Sequence, residues 1–495
     1  MLRLAGFILV LLLTVPVCER ALADDAHRKF DIAMLDQFVA DHLQRTGIPG
    51  IAVAVVEGDS IAVVKGYGRN SDGTPVTADT PMYVASVSKS FTALAVMQLV
   101  ERSLIELDAP VSKYLADFHL ADPRGVKITV RQLLEQRSGM SDATFFEWTN
   151  PGPATLEEAV TRMHDARLAV DPGAKFIYHN PNYHVAARLV EVVSGEPFAQ
   201  YMREHIFMPI GMTHTRTVER IESQTDNVPL GHVFAFGRAF AVRQPQFFVA
   251  GAAGIVTTAS DMARWLITQS NEGMAPSGVR VLSAKGIEAM HSPSKSGGYY
   301  GLGWAVRKSD WKTRLLHHVG WLPTFTAYEA IFPDERYAVA VLGNGGMTLG
   351  TGYEAISIAE FINAIEHGVK PKSYGENAFT VDAVLTLGSI VLIFLGVVAI
   401  KRAKRWVDRR STVAKWRTAS RLLVYLLLLV IGVCAPAIVG FAFGGRAASW
   451  LWLFYLSPTL LAFCWSLIIF CSAVLASRSI ALLQHRPMGG RTEIG

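Results

Sequence analysis

Three apolar runs in the last third of the chain limit its architecture more than any other feature: Thr380 to Ile400, Leu422 to Phe443 and Trp450 to Ala476. Each is long enough to cross the hydrocarbon core of a bilayer as a helix. Between the first two lies KRAKRWVDRRSTVAKWRTASR, Lys401 to Arg421, with nine Lys/Arg and one acid, Asp408. A basic block wedged between two spans follows the positive-inside rule and is expected in the cytoplasm. The first span then runs from outside to inside, and the third returns the chain to a cytoplasmic tail, 478–495. Everything before the first span is expected outside the cytoplasm, which makes this a multi-pass protein of the inner (cytoplasmic) membrane.

The N-terminus gives the same orientation independently. Arg3 is followed by an apolar run from Leu4 to Val17 and then by Ala21-Leu22-Ala23. A basic start, a short apolar stretch and an A-x-A site read as a secretory signal over residues 1–23, with an uncleaved anchor as the alternative. The composition agrees with an exported body on a membrane base: 51% of residues are hydrophobic and 18% charged, and the mean hydropathy is +0.27. The basic block contributes +8 of formal charge to a total of +5, so the remainder carries −3 and shows no electrostatic footprint for nucleic acid. Cys18 lies in the signal, and Cys434, Cys464 and Cys471 lie in the apolar runs. The exported body therefore has neither a disulfide framework nor a cysteine metal site.

Residues 24–368 form one compositional block, and 369–379 read as a linker to the span region, 380–477. Phe30 to Leu43 has helical apolar spacing. Ile51 to Val56 and Ile61 to Val64 flank a Gly-Asp turn and read as a hairpin. From Ser88 to about Asn271 the pattern is mostly helical. Strand patterns return at 303–306, 315–319, 324–332 and 337–342, before a closing helix marked by Ile358, Ile362 and Ile365. Strands at both ends with helices between predict a mixed α/β (α+β) domain. Its antiparallel sheet joins the two chain ends, terminal helices cover it, and a helical subdomain sits beside it, with a cleft at the seam.

Within this body, YVASVSKSFTAL places Lys89 three residues after Ser86 at the mouth of an apolar helix. Ser-x-x-Lys is a cheap pattern, with about one chance match expected in a chain this long. Ser292/Lys295 and Ser309/Lys312 also match, but they fall in polar connections. Only Ser86 precedes a long helical pattern. Residues three apart share a helix face, so Lys89 can stand beside the Ser86 hydroxyl. A serine needs a base to become nucleophilic, and a desolvated lysine can be that base. The bland alternative is a serine cap followed by a solvated lysine.

Further segments carry a resemblance. DTPMYVASVSKSFTALAVMQLVE, RQLLEQRSGM, PGAKFIYHNPNYHVAARLVEVVSG, GAAGIVTTASDMARWL, YGLGW and LLHHVGWLPTFTAYEA occur in this order between Asp36 and Asn363. Together they resemble the serine β-lactamase-like family of class C β-lactamases, DD-peptidases, D-aminopeptidases and related esterases. The resemblance implies Ser86 as acylated nucleophile, with Lys89 and Tyr178 sharing the proton work. It implies Asn180 as a substrate-binding amide that orients Lys89, and His318 and Gly320 as cleft-lining positions. The amides of Ser86 and Trp321 are implied as the oxyanion hole. It implies no metal and no cofactor.

This chain departs from the family pattern at four places. Gln136 stands where a histidine is common, and His318-Val319-Gly320 stands where β-lactamases carry Lys-Thr-Gly. A histidine is mostly neutral at pH 7, which disfavours strong β-lactamase action. Thr324 replaces a common glycine and is expected to narrow the cleft, and Thr326 replaces a common serine. The expected activity is hydrolysis of amide or ester bonds in a small peptide, amide or ester substrate, with D-amino-acid-containing cell-wall peptides the natural class. The alternatives are a broad carboxylesterase with weak β-lactamase activity and a catalytically silent peptide or β-lactam sensor. No H-E-x-x-H motif supports a metallohydrolase, and three spans offer little pathway for a transporter.

Overall fold

The computed structural model describes residues 31–147, 151–221, 227–295, 297–309, 312–347, 354–367, 378–443, 446 and 448–484. The expected signal, 1–23, and most of the expected linker lie outside these residues. Elements are numbered in chain order as they are introduced.

The chain ends meet in one sheet, as the strand pattern predicts. Helix α1 (Ile32–Thr46) leads into β1 (Gly50–Glu57) and β2 (Ser60–Gly68), the expected hairpin. After a helix-rich middle containing α2 (Ser88–Glu101), α3 (Pro181–Ser194), a β3–β4 hairpin (Gly231–Ala235 and Arg238–Val242) and α4 (Ala259–Ser270), the sheet resumes. Its later strands are β5 (Ala305–Lys308), β6 (Arg314–Leu322), β7 (Phe325–Phe332) and β8 (Tyr337–Gly343), followed by α5 (Glu354–Glu366). The order is β2-β1-β8-β7-β6-β5, antiparallel throughout. β1 and β8 pair from Ile51↔Gly343 to Glu57↔Tyr337, which closes the domain.

The central strands are buried on both faces, so they read as unbroken apolar runs. The period of two still sorts their side chains. Val53, Val55, Tyr328, Ala330, Val339 and Val341 pack under α1 and α5. Ala52, Ala54, Ala327, Ala338 and Ala340 face the opposite core, where small side chains let α4 lie close to the sheet. In that second core, α2 is buried from Ser88 to Leu99. A helix enclosed on all sides has little freedom to shift, which fixes its first turn in space.

The apolar runs differ from expectation in detail. The first is α6 (Ala378–Lys401). The second was expected as one helix from Leu422 to Phe443, but α7 (Lys415–Val433) ends at Cys434 and a separate α8 (Ala435–Ala442) follows. Pro436 has no N–H to continue the ladder and its ring clashes with the carbonyl four residues back. The third run is likewise divided into α9 (Trp450–Leu456) and α10 (Pro458–Gln484). Ser457 between them is extended (φ −165°, ψ 103°), as the residue before a proline tends to be. α6, α7 and α10 are each long and apolar enough to cross a membrane.

The short helices α8 and α9 turn back onto the folded body. Trp452, Leu453 and Leu456 of α9 are buried in a cluster with Met347, and Trp321 of β6 packs against it. Asp382 of α6 accepts from the Phe236 N–H at 2.6 Å and from the Thr459 hydroxyl, tying the β3–β4 turn to the ends of α6 and α10. The Tyr455 hydroxyl donates to the Arg243 carbonyl at 2.8 Å.

Glu329 of β7 is a carboxyl fully buried in the core of the folded body. The Ser90 hydroxyl has one hydrogen, and Val87 O and Glu329 Oε1 both lie 2.8 Å from it. If that hydrogen goes to Val87 O, a protonated Glu329 donates to Ser90 Oγ, while its Oε2 accepts from Trp265 Nε1–H at 2.9 Å. Burial pushes the Glu329 carboxyl up to about 8, against smaller opposing effects of Ser90 and Trp265. The unfolded chain therefore loses this proton near pH 4.5 while the native chain holds it to about pH 8. Stability from this group is complete below the unfolded value and falls across that interval. Glu329→Gln, which mimics the protonated form, is expected to remove this component. In thermal unfolding of the detergent-solubilised protein followed by tryptophan fluorescence, the variant should gain on the wild type steadily from pH 5 to pH 8.

Candidate active site

Ser86 sits in a single 3₁₀ turn, Ala85–Val87, that feeds directly into α2. Ala85 has φ 51°, a left-handed conformation that a side-chain-bearing residue adopts at a cost. The segment is pinned on both sides. The Val84 N–H donates to Ile255 O at 3.0 Å, and the Ile255 N–H donates to Ser88 Oγ at 3.0 Å. The reward for this strain is a hydroxyl that faces a cleft instead of continuing the helix.

Lys89, in the first turn of α2, is wholly buried. Its Nζ lies 3.0 Å from Ser86 Oγ, 2.8 Å from Asn180 Oδ1 and 2.8 Å from the Ala252 carbonyl. The Tyr178 hydroxyl lies 2.7 Å from the same Ser86 oxygen. A neutral amine satisfies this set completely. Its two hydrogens go to Asn180 and Ala252, its lone pair receives the Ser86 O–H, and Tyr178 donates to Ser86 Oγ. Burial holds the Lys89 amine well below the usual lysine range, the Arg446 guanidinium pushes the same way, and Glu147 opposes both. An ammonium's three hydrogens would match the same three oxygens, so the geometry admits either form, and it is burial that favours the neutral amine able to take the serine proton.

Tyr178 and Asn180 reach this point from the turn before α3, where Pro181 occupies the first helical position. Gln136 positions that turn. Its Oε1 accepts from the His179 N–H at 3.0 Å and from Asn182 Nδ2 at 2.6 Å, and its carbonyl accepts from the Ile177 N–H at 2.8 Å. The residue that departs from the family pattern is therefore a bracket for the Tyr-His-Asn segment. His179 is buried with Nε2 3.2 Å from Asp142 Oδ1, and burial brings its imidazole down to about 4.

His318 faces the cleft from β6, with its ring 5.8 Å from that of Tyr300 and 6.5 Å from that of Tyr178. Its neighbour His317 packs on Tyr328 instead. The Nδ1 of His318 is 2.9 Å from the Val319 carbonyl and must carry the hydrogen, so Nε2 accepts from the Tyr300 hydroxyl at 2.8 Å. Burial brings this imidazole down to about 3. It is neutral at pH 7 and has both nitrogens engaged.

Gly320 serves by having no side chain: a Cβ there would stand 2.1 Å from the Val84 carbonyl oxygen. That absence lets β6 close against the Ser86 turn and brings Trp321 to the cleft wall. Thr324 corrects an expectation. It is buried in the turn between β6 and β7, its carbonyl accepts from the His232 N–H at 3.3 Å, and it packs on Gly231. It is not among the cleft-lining residues and does not narrow the site.

The cleft encloses about 700 Å³. Ser86, Tyr178, Asn180, His318 and Trp321 all line it, so the structure brings the sequence-derived candidates together, with Lys89 beneath and Gly320 behind. Sequence reasoning missed one wall. Phe443, Arg446 and Trp452, from the segment between α7 and α10, also line the cleft. Trp452 meets Trp321 edge to face with centroids 5.0 Å apart, and Phe443 meets Trp452 at 5.4 Å. Arg446 Nε donates to Asp142 Oδ2 at 2.7 Å, and its Nη2 donates to Glu147 Oε1. Asp142, Glu147 and His179 lie close enough to share a cation, but the guanidinium bonds to both carboxylates. The only advance signal was an arginine between two apolar runs.

Comparison with known proteins identifies the family of the domain that carries this cleft. The family model described as Beta-lactamase matches residues 35–358. Protein flp of Staphylococcus aureus (strain MW2) is 26% identical over 326 residues, covering 63% of this chain and 62% of that protein. The chain thus spans less than two thirds of the length of the staphylococcal relatives it matches. Penicillin-binding protein 4 of Amycolatopsis lactamdurans is 29% identical over 315 residues, 61% of this chain and 82% of that one. Among solved structures, the octameric penicillin-binding protein homologue from Pyrococcus abyssi superposes with TM-score 0.58 at 24% identity, over 72% of this chain and 81% of that chain. The hydrolase EstCE1, described as having promiscuous acyltransferase activity, gives 0.57 at 20%, over 68% and 98%. At these identities the superpositions establish the fold.

The Gly320 contact makes a direct prediction. Gly320→Ala must push β6 away from the Ser86 turn, at a cost of about 1–3 kcal/mol for an overpacked site. Thermal unfolding of the purified full chain should show a midpoint several degrees lower, and an unchanged midpoint would mean that the close approach is not structurally required.

Proposed function

The chain belongs to the β-lactamase family of serine hydrolases, and on that premise we propose that it is a membrane-anchored hydrolase of amide or ester bonds with Ser86 as its nucleophile. One observation carries this reading: a buried amine at 3.0 Å and a phenol at 2.7 Å converge on the same serine oxygen. Neutral Lys89 takes the Ser86 proton as Oγ attacks the substrate carbonyl. The tetrahedral oxyanion rests on the backbone N–H groups of Ser86 and Trp321. As the bond to the leaving group breaks, Tyr178 gives that group its proton and recovers one from Lys89. Water then repeats the sequence on the acyl-enzyme, releasing the acid and restoring Ser86. Asn180 keeps Lys89 in line through Oδ1, and its second Nδ2 hydrogen can serve a substrate carbonyl.

His318 and Gly320 shape the cleft without adding charge. A neutral ring with both nitrogens engaged offers no cation to a substrate carboxylate, which argues against strong β-lactam hydrolysis. Family analogy makes cell-wall peptides containing D-amino acids the natural substrates. One solved relative is described as D-alanine carboxypeptidase AmpC from Burkholderia cenocepacia (22% identity, TM-score 0.53). A second reading, a carboxylesterase, is favoured by the aromatic wall of Trp321, Phe443 and Trp452, which suits an apolar acyl or alcohol group. In either case residues 24–368 form the extracytoplasmic catalytic domain and α6, α7 and α10 hold it at the membrane. The chemistry requires no metal or cofactor.

An activity-based fluorophosphonate probe is expected to label the wild type and not Ser86→Ala, and equal labelling of the two would remove the nucleophile. Lys89→Met and Tyr178→Phe are each expected to slow turnover of a p-nitrophenyl ester by about 10²–10⁴-fold. Parallel assays with a D-Ala-D-Ala peptide and a chromogenic cephalosporin would separate the peptidase and esterase readings, the cephalosporin being the poorest substrate in both.

Orientation is checked separately. In a background lacking the native cysteines, cysteine placed at the exposed position Lys127 should react with an impermeant maleimide on intact cells. Cysteine at Ser411 should react only after lysis.

A further inference from the structure

We propose that Arg446, carried on the segment between the second and third apolar spans, is a positioning residue of the Ser86 site: it gathers Asp142 and Glu147, and through Glu147 it holds Asn180 in the orientation that receives Lys89. This rests on the serine-hydrolase reading above and extends the active centre into the C-terminal region.

The two ends of the Asn180 amide are not equivalent. Its Nδ2 donates to Glu147 Oε1 at 3.0 Å and its Oδ1 accepts from Lys89 at 2.8 Å. An anion on one side and an amine on the other permit only this orientation. Glu147 is itself placed by Arg446, which donates to the same Oε1. Asp142, buried beneath, takes Arg446 Nε–H. Two carboxylates this enclosed need a cation, and the guanidinium fork matches them. Arg446 also lies over the Tyr178 ring, 5.3 Å from its centroid. Both carboxylates bond to the guanidinium, so Arg446 is already engaged within the site. Its work is internal to the site.

The covalent path to Arg446 is long, so packing must deliver it. Trp452 against Trp321 fixes α9 on the cleft wall. On the other side, α8 lies against the chain at Arg446: a Cβ at Gly440 would stand 2.1 Å from the Arg446 carbonyl oxygen. The guanidinium is therefore aimed by contacts on both flanks.

The same geometry has a signed electrostatic consequence. Around Lys89 stand Tyr178, Tyr183 and His184 from α3 and the turn before it, His318 from β6, Tyr300 from the loop before β5, and Asp142, Glu147 and Arg446. Burial keeps Tyr183 and Tyr300 high, His184 near 4 and His318 near 3, so these four stay neutral through the working range. Arg446 opposes an ammonium at Lys89, whereas Glu147 supports one. Glu329 titrates near 8 on the far side of the α2 turn and is common to every variant.

The test measures kcat/KM of the detergent-solubilised full chain for a p-nitrophenyl ester across roughly pH 5 to 10, where the acid limb reports the base of the free enzyme. Arg446→Gln is expected to move that limb up by about one pH unit, a roughly tenfold loss on the acid side that recovers in alkali. Glu147→Gln, which keeps an oxygen for Arg446 and Asn180 but loses the charge, is expected to move it down. Arg446→Lys should fall between wild type and Arg446→Gln. Limbs that do not move in either glutamine variant, or shifts of the same sign in both, would overturn the proposal. If Arg446→Gln fails to fold, Arg446→Lys decides: kcat/KM and an acid limb both unchanged from the wild type would overturn it. Fluorophosphonate labelling of Ser86 in the wild type reports on the hydrolase reading itself, so the two failures are distinguishable.

Discussion

A primary amine in the interior is the constraint on which this site depends. A charged lysine taken out of water costs several kcal/mol unless it is paired, and a neutral one still needs partners for its hydrogens. Lys89 resolves this by drawing on three oxygens: the serine in the turn just before its helix, an amide before α3 and a backbone carbonyl before α4. Those partners converge only when the helical subdomain is fully packed on the sheet. Fold and reactivity are therefore the same requirement, and anything that loosens one of the three contacts disturbs the amine.

The sheet contributes the opposite wall by approaching closely. β6 lies against the strained Ser86 turn because Gly320 leaves room for the Val84 carbonyl, and the strand then presents His318 and Trp321 side by side. The histidine is locked neutral between a carbonyl and a phenol. What this wall offers a ligand is shape and apolar surface more than charge, which fits the ester and amide readings better than recognition of an anionic substrate.

The remaining wall comes from outside the family fold. The family match ends at residue 358, yet Phe443, Arg446 and Trp452 stand in the cleft. The helix breaks at Pro436 and at Ser457-Pro458 make this geometry available. The second and third apolar runs each give up one end, and the freed pieces, α8 and α9, fold back onto the body beside the β3–β4 hairpin. The family domain and the apolar C-terminal region are thus joined through the cleft as well as through the chain.

Much of this was legible in the sequence. Alternating and continuous apolar runs located the strands, and the pairing of the two chain ends followed from their order. Ser86 with Lys89 stood out because only that pair opened an apolar helix, and the ordered segments carried Tyr178, Asn180, His318 and Gly320 by resemblance. The strands and the Ser86–Lys89 pair are properties of local period and spacing, which a linear reading preserves, whereas the other four residues rest on the resemblance. Tertiary structure alone decided that the Ala252 carbonyl is a partner of Lys89, the bracket at Gln136, the burial of Thr324 away from the cleft and the arrival of Arg446 beside Asp142 and Glu147. Each of those depends on residues tens to hundreds of positions apart meeting in a low-dielectric interior, and no local pattern records which distant side chains packing will bring together.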